Sequence, residues 1–280
     1  MIKKIRAPVR IDFAGGTTDI KEFASKYGGA VLNAAINHYV FGKLTKSNSG
    51  TRLEYHADIP TSSGLGTSSA MNVVWLALIT HIKDKKKIAE SVFKIEQASK
   101  ESSVNGKQDQ YASAFGGINY LEFIGDEVKI SQVKLKKEFI KKLESKLILV
   151  YSGESHYSGN SNKAMIDNLL KGKVTDNLLR IKAIAGEMKD ALLNEDLNSF
   201  SDLMNQETEE RRKLSETTLS PQLKSIIDNG VKNGASGAKI CGSGGGGSIL
   251  FFGDKARLKR YFGKKAIEFK FDFSGLIWGE

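Results

Sequence analysis

Eleven consecutive residues, Pro60-Thr61-Ser62-Ser63-Gly64-Leu65-Gly66-Thr67-Ser68-Ser69-Ala70, have no side chain larger than leucine and run straight into an apolar segment. The segment from Ala70 to Ile82 has a helical composition and reads as a buried helix. A helix start leaves N–H groups without partners and carries partial positive charge, so it favours phosphate. Glycines let the backbone close on a ligand, and hydroxyls add donors, one of them suited to Mg²⁺. A flexible loop before an ordinary serine-capped helix explains the same composition. The abrupt entry into an apolar helix favours the phosphate-binding reading.

Glycine is placed with similar purpose elsewhere. Of the 28 glycines, against 3 prolines, 13 cluster at Gly15-Gly16, Gly28-Gly29, Gly64 and Gly66, Gly116-Gly117, and Gly242-Ser243-Gly244-Gly245-Gly246-Gly247. Each cluster lies between apolar segments, as loops on a packed scaffold do. No Walker A string is present. Gly242, Gly244 and Gly247 match Gly-x-Gly-x-x-Gly, but a strand-like run from Ser248 to Phe252 follows and only 33 residues remain. A dinucleotide fold needs a helix there and more chain. The run suits close backbone approach to a ligand, with a mobile hairpin loop as the alternative. Two further segments carry polar groups in a glycine setting. Asp109, in Gly106 to Gly117, is a candidate N-cap of a short helix. From Arg6 to Asp19 a strand ends in a glycine turn followed by hydroxyls and a carboxylate, which suits a polyol or simple turn chemistry.

Strands are expected at Val9–Phe13, with one face buried, across Ala30–Leu44, and at Gly117–Phe123, Leu147–Val150, Ala238–Cys241, Ser248–Phe252 and Ile267–Phe273. In the last, Ile267, Phe269, Phe271 and Phe273 should face one way. Helices are expected at Lys87 to about Lys100, near Gln222 to Lys232 and at Lys255–Phe262; another places Leu178, Ile181, Ala185, Met188 and Leu192 on one face. Strands and helices mix without a βαβ rhythm, which argues for α+β rather than a doubly wound sheet. A boundary before Leu147 divides the chain into 1–146 and 147–280.

A content of 40% hydrophobic and 26% charged residues excludes a disordered chain. No apolar run reaches the ~18 residues of a membrane span, and no signal peptide is expected at Met1–Arg6. One cysteine, Cys241, excludes an intrachain disulfide and fits a cytoplasmic location. His38, His56, His81 and His156 show no metal-ligand spacing. A net charge of +10 points to an anionic partner. Nucleic acid is one reading, but basic clusters such as Lys85-Lys86-Lys87 read as solvated helix faces beside acids, so neither nucleic acid nor membrane is expected as a partner.

Taken together, these segments resemble the GHMP kinase superfamily. Pro60 to Ala70 looks like its phosphate loop, Lys239 to Ser248 like its third motif and Arg6 to Asp19 like its first. Arg6-Ala7-Pro8, Phe13-Ala14-Gly15-Gly16, Gly28 to Asn33, Gly106 to Gln110 and Tyr151-Ser152-Gly153 are similar to the heptose 7-phosphate kinase-like sugar kinases. The resemblance implies a two-lobed fold, with an S5-domain-2-like N-terminal lobe, a ferredoxin-like C-terminal lobe and a cleft between them. It implies ATP as co-substrate, Mg²⁺ as cofactor, and transfer of the γ-phosphate to a sugar or sugar-phosphate hydroxyl. By the same resemblance, Asp109 is the carboxylate near the accepting hydroxyl, and Arg10 stabilises charge on the transferring phosphoryl. Ser62 to Ser69 would bind ATP, and Ser68 with Glu96 would hold Mg²⁺. Gly15, Gly16, Thr17, Asp19, Gly244 and Gly245 would bind the acceptor. Glu96 shares a helix face with Ala89 and Phe93, which favours an inward carboxylate, though an exposed one is the simpler alternative. The chain departs from the sugar-kinase pattern in having Thr17 for a third glycine and His156 for an arginine, and in one extra residue between Glu96 and Gly106. An isoprenoid-pathway kinase of the mevalonate type is the alternative within the superfamily, because the motifs serve ATP rather than the acceptor.

Overall fold

The computed structural model describes residues 1–48, 50–98, 106–153 and 158–279. In chain order, β1 (Ile2–Ala14) and α1 (Lys21–Tyr27) lead to the long β2 (Gly29–Ser47) and β3 (Gly50–Ala57). Three helices follow, α2 (Thr67–Ile79), α3 (Lys85–Ala98) and α4 (Gln108–Phe115), then the hairpin β4 (Ile118–Ile124) and β5 (Glu127–Gln132) and helix α5 (Lys137–Glu144). The rest begins with β6 (Leu147–Tyr151) and continues through α6 (Ser158–Leu170), α7 (Thr175–Leu193), α8 (Leu197–Arg211) and α9 (Pro221–Lys232). It closes with β7 (Ala235–Ile240), β8 (Ser248–Gly253), α10 (Lys255–Phe262), β9 (Ala266–Ile267) and β10 (Ile277–Gly279).

Two antiparallel sheets organise these elements. One has the order β10-β1-β2-β4-β5 with β3 also on β2; the other has β7-β8-β6-β9. The α+β class read from the sequence holds. The described part of α3 and all of α9 and α10 agree with expectation to within a few residues, and the five apolar residues of α7 are all buried. Helices α7 and α8 pack on each other, with α7 against β1 and β2 and α8 against β7. One continuous apolar cluster therefore includes Ile11 and Phe13 of the first sheet, Phe200 of α8, and Leu149 and Leu250 of the second.

Three expectations are corrected. Strand β1 is buried on both faces from Ala7 onward, not on one. Phe13 packs edge-on against Phe200 at 5.3 Å, while the alternate residues Arg10 and Asp12 are buried among charged partners. The 267–273 segment is not one strand. Ile267 pairs with Leu149 in the second sheet and Phe271 bridges to Ile36 in the first, so the chain crosses between sheets, and Phe273 is exposed. From there the last strand, β10, pairs with β1. Finally, α2 starts at Thr67, inside the glycine–serine segment, and ends at Ile79.

Candidate active site

The start of α2 has unusual local chemistry. Its N-cap, Gly66, is left-handed at φ 71°, and no side chain caps the helix. Left-handed backbone favours glycine, since a Cβ there crowds the following carbonyl. The first N–H groups of α2 therefore have no side-chain cap. Ser62 and Ser68 are exposed and Gly64 and Gly66 half-buried. Ser63 and Thr67 are buried with their hydroxyls 3.5 Å apart, and the Leu65 side chain belongs to the core.

Arg10 of β1 ties this loop to α4. Its Nε donates to Asp109 Oδ1 at 2.7 Å, its Nη1 to the Gly64 carbonyl at 2.7 Å, and its backbone N–H to the Leu65 carbonyl at 3.0 Å. Asp109 lies in the first turn of α4 and is not its N-cap, which is Lys107. Gly66 lies so close that a Cβ there would be 3.1 Å from Asp109 Oδ2. Burial works against the Arg10 charge, but the ion pair with Asp109, with Asp12 nearby, raises its pKa above the ordinary value. Asp109 keeps 23% side-chain exposure against 6% for Arg10, so the carboxylate is the member of the pair open to a small molecule.

Asp19 is buried beside this pair. It accepts from the Thr17 N–H at 3.1 Å and from the Gln108 N–H at 3.0 Å. Burial pushes its pKa up to about 6; the Gln108 N–H opposes this, and Asp109 and Asp12 add to it. Thr17 has a positive φ of 82°, rare for a β-branched residue. The turn is left-handed at the position where the resemblance predicts glycine.

Glu96 of α3 is buried, as its helix face implied. Its Oε1 accepts from Asn72 at 2.8 Å, and its Oε2 accepts from Ser69 at 3.3 Å and from Gln110. The neighbouring hydroxyl it engages is thus that of Ser69; Ser68 stands exposed one residue earlier. Burial raises the Glu96 pKa, the Asn72 and Gln110 hydrogen bonds resist, and Asp109 adds to the rise. His156 and the residues between 99 and 105 lie outside the described residues.

The third glycine loop, 242–247, packs on the first. A Cβ on Gly64 would be 2.6 Å from the Cys241 carbonyl oxygen, and one on Gly247 would be 2.9 Å from that of Ser63. The Gly245 N–H donates to the Thr218 carbonyl at 2.8 Å, and Gly244 fits against the same residue. These glycines serve loop-on-loop contact, which glycine count alone does not distinguish from ligand approach.

Four buried charged residues had no assigned role in the sequence reading. Arg211 Nη2 is 2.5 Å from Glu207 Oε1 and 3.8 Å from Asp12 Oδ2. Lys239 Nζ is 3.2 Å from Glu207 Oε2 and 3.6 Å from Asp12 Oδ2. Burial raises the Asp12 pKa, but Lys239, Arg211 and Arg10 outweigh it and hold it below the ordinary value. A Glu207–Arg211 pair at i, i+4 reads in sequence as a solvated helix pair. Lys239 looks equally ordinary, so only the fold brings the four together.

The chain matches "GHMP kinases N terminal domain" over residues 29–117 and "GHMP kinases C terminal" over residues 188–266. It is 26% identical to a D-glycero-alpha-D-manno-heptose 7-phosphate kinase of Campylobacter jejuni, with 91% of this chain and 90% of the relative covered. It superposes on the crystal structure of a D-glycero-D-manno-heptose 1-phosphate kinase from Bacteroides thetaiotaomicron with a TM-score of 0.79, at 24% identity and covering 100% and 99% of the two chains. The L. major mevalonate kinase structure with R-mevalonate gives a TM-score of 0.70 at 15% identity, covering 95% and 94%. With an open helix end, two interlocked glycine loops and these matches across both halves, the chain belongs to the GHMP kinases, ATP-dependent phosphotransferases that act on a hydroxyl group.

Proposed function

We propose that this protein transfers the γ-phosphate of ATP to a hydroxyl of a sugar or sugar phosphate. The observation that carries the reading is the Arg10–Asp109 pair set against the uncapped start of α2. The loop from Ser62 to Ser69 holds the ATP phosphates through backbone N–H groups and hydroxyls. Arg10 occupies Asp109 Oδ1, and no described residue donates to Oδ2. That oxygen takes the acceptor's proton, or orients the hydroxyl, as its oxygen bonds to the γ-phosphorus and the bond to the ADP oxygen breaks. Arg10 offsets negative charge on the transferring group. Asp19, with the turn Gly15-Gly16-Thr17, accepts hydrogen bonds from the acceptor's other hydroxyls, and Gly244 and Gly245 border the same space.

Mg²⁺ fits this donor set. Glu96 is a buried carboxylate repelled by Asp109, the Ser69 hydroxyl lies beside it, and hard oxygen donors are what the ion prefers. Ser68 and Glu96 would hold it, with the Ser69 hydroxyl at the same carboxylate; when bound it supplies charge neutralisation for the phosphates. The net charge of +10 suits two anionic ligands.

The test is a coupled ADP-release assay over heptose 7-phosphate, heptose 1-phosphate, simple hexoses and mevalonate. Turnover is expected with a sugar or sugar phosphate. Mevalonate active with every sugar inactive overturns the substrate class. Asp109→Ala is expected to lower kcat about 100-fold or more with an unchanged circular dichroism spectrum; normal turnover removes Asp109 from the mechanism.

A further inference from the structure

Arg211, the last residue of α8, is 1% exposed and far in sequence from the turn it touches. Its Nη2 donates to the Gly16 carbonyl at 2.7 Å and its Nη1 to Thr17 Oγ1 at 2.9 Å; Nη1 also reaches the Gly242 carbonyl at 3.3 Å. One guanidinium therefore holds two residues of the first-motif turn, Gly16 and Thr17, and the first glycine of the third loop. Its own orientation is set by Glu207, which accepts from Nε at 2.9 Å. The turn has little other freedom. A Cβ on Gly16 would strike the Asp12 carboxylate, and Thr17 sits at φ 82°, where a β-branched residue needs support from outside its own backbone. The next link is local: the Thr17 N–H donates to Asp19 Oδ1.

The geometry points to Arg211 as a positioning residue for the acceptor, acting through the Thr17 hydroxyl to aim Asp19. This rests on the reading of Asp19 as an acceptor ligand. Arg211 is too buried to meet the acceptor itself; its charge is matched by Glu207 and Asp12, with a longer-range attraction to Asp19. What it supplies is placement: it fixes the turn on β1 relative to the glycine loop after β7, so the acceptor side of the site is built from both sheets at once. Planarity matters, because the separate donors of one rigid fork reach Gly16, Thr17 and Glu207 together, which a lysine cannot reproduce.

Steady-state kinetics with Mg-ATP and D-glycero-D-manno-heptose 7-phosphate as the acceptor probe test the idea. Thr17→Val keeps the volume and the β-branch, so it keeps the backbone strain and removes only the hydroxyl. It is expected to raise the acceptor KM about tenfold, with the ATP KM changed less than about twofold and kcat less than about threefold. Thr17→Ser restores the hydroxyl and should return the acceptor KM to within about twofold of the parent. Arg211→Lys should shift the same constant, and the double variant Arg211→Lys/Thr17→Val should be no worse than Arg211→Lys alone. Hydrogen exchange of the ligand-free protein gives a readout independent of the acceptor: amides 15–19 should exchange faster in Thr17→Val and those of β2 at the parent rate. An unchanged acceptor KM, equal rises in both KM values, additive losses or unchanged exchange at 15–19 each overturn the proposal. If Arg211→Lys does not fold, Thr17→Val alone decides. If the parent phosphorylates no sugar, the functional reading fails, and the exchange data still decide whether the clamp exists.

Discussion

At the scale of single residues, the site is governed by carboxylates that differ in their surroundings. Asp12 is surrounded by cations and stays below its ordinary pKa, while Asp19, buried and facing Asp109 and Asp12, is raised to about 6. Arg211 also faces Asp19, and the hydrogen bond from Gln108 limits the rise. A carboxyl with a raised folded pKa binds protons more readily when folded. Its stabilising contribution is complete below about pH 4 and is lost as the pH rises towards 6. The loss is about 3 kcal/mol for a shift from 3.8 to about 6. The difference in unfolding free energy between the parent and Asp19→Asn should therefore change across pH 4 to 6 and be flat above 7. Urea titrations at several pH values measure it, and a constant difference would mean Asp19 titrates normally. Activity should run the other way: the acceptor kcat/KM should rise as Asp19 ionises, since only the carboxylate accepts hydrogen bonds at both oxygens. Asp19 was legible as a polar residue after a glycine turn. Its burial was not, because the Gln108 N–H that reaches it comes from an element 89 residues away.

At the scale of elements, the two glycine loops explain each other. Gly64 has a φ of 76° and a Cβ there would lie 2.6 Å from the Cys241 carbonyl oxygen, whereas Gly125, with a φ of 60°, has nothing within 4 Å. Both alanine substitutions incur the left-handed backbone penalty of about 1–2 kcal/mol. Gly64→Ala must in addition push the loops apart. It should lose a further ~1–3 kcal/mol and raise the ATP KM, while Gly125→Ala leaves that KM unchanged. Equal stability losses in chemical denaturation would show that the loops are not held in contact. The helix start at Thr67 carries the same lesson. Serine density in the sequence left a side-chain cap as the alternative reading, and the structure leaves α2 uncapped and uses Gly66 for the turn.

At the scale of the whole molecule, the two sheets share one core. Phe200 lies between them, 5.3 Å from Phe13 of β1 and 6.0 Å from Phe252 of β8. Phe200→Ala should cost about 3–5 kcal/mol and lower the Tm of a single calorimetric transition. Two separated transitions would mean that the halves hold separate cores. Return of the chain to the first sheet through β10, and the bridge from Ile36 to Phe271, bind the far end of the chain to its beginning. The buried quartet of Asp12, Glu207, Arg211 and Lys239 links β1, α8 and β7 in the same way.

The amino-acid sequence by itself determined what depends on near neighbours. Apolar spacing marks the buried stripe of α7, and glycine and hydroxyl clusters mark the loop that leads into α2, because periodicity and turn chemistry act within a few residues. Asp19 and Asp109 lie in polar segments beside glycine and Glu96 on an apolar helix face, but their roles, and that of Arg10, come from the resemblance to the GHMP kinases. Only the tertiary structure decided which polar positions face inward and whom they meet. The alternation of β1 implies one wet face, but Asp109, Arg211 and Lys239 arrive from α4, α8 and β7 to neutralise it. A buried charge is tolerated when an opposite charge from elsewhere in the chain is brought to it, and that meeting leaves no mark in local spacing.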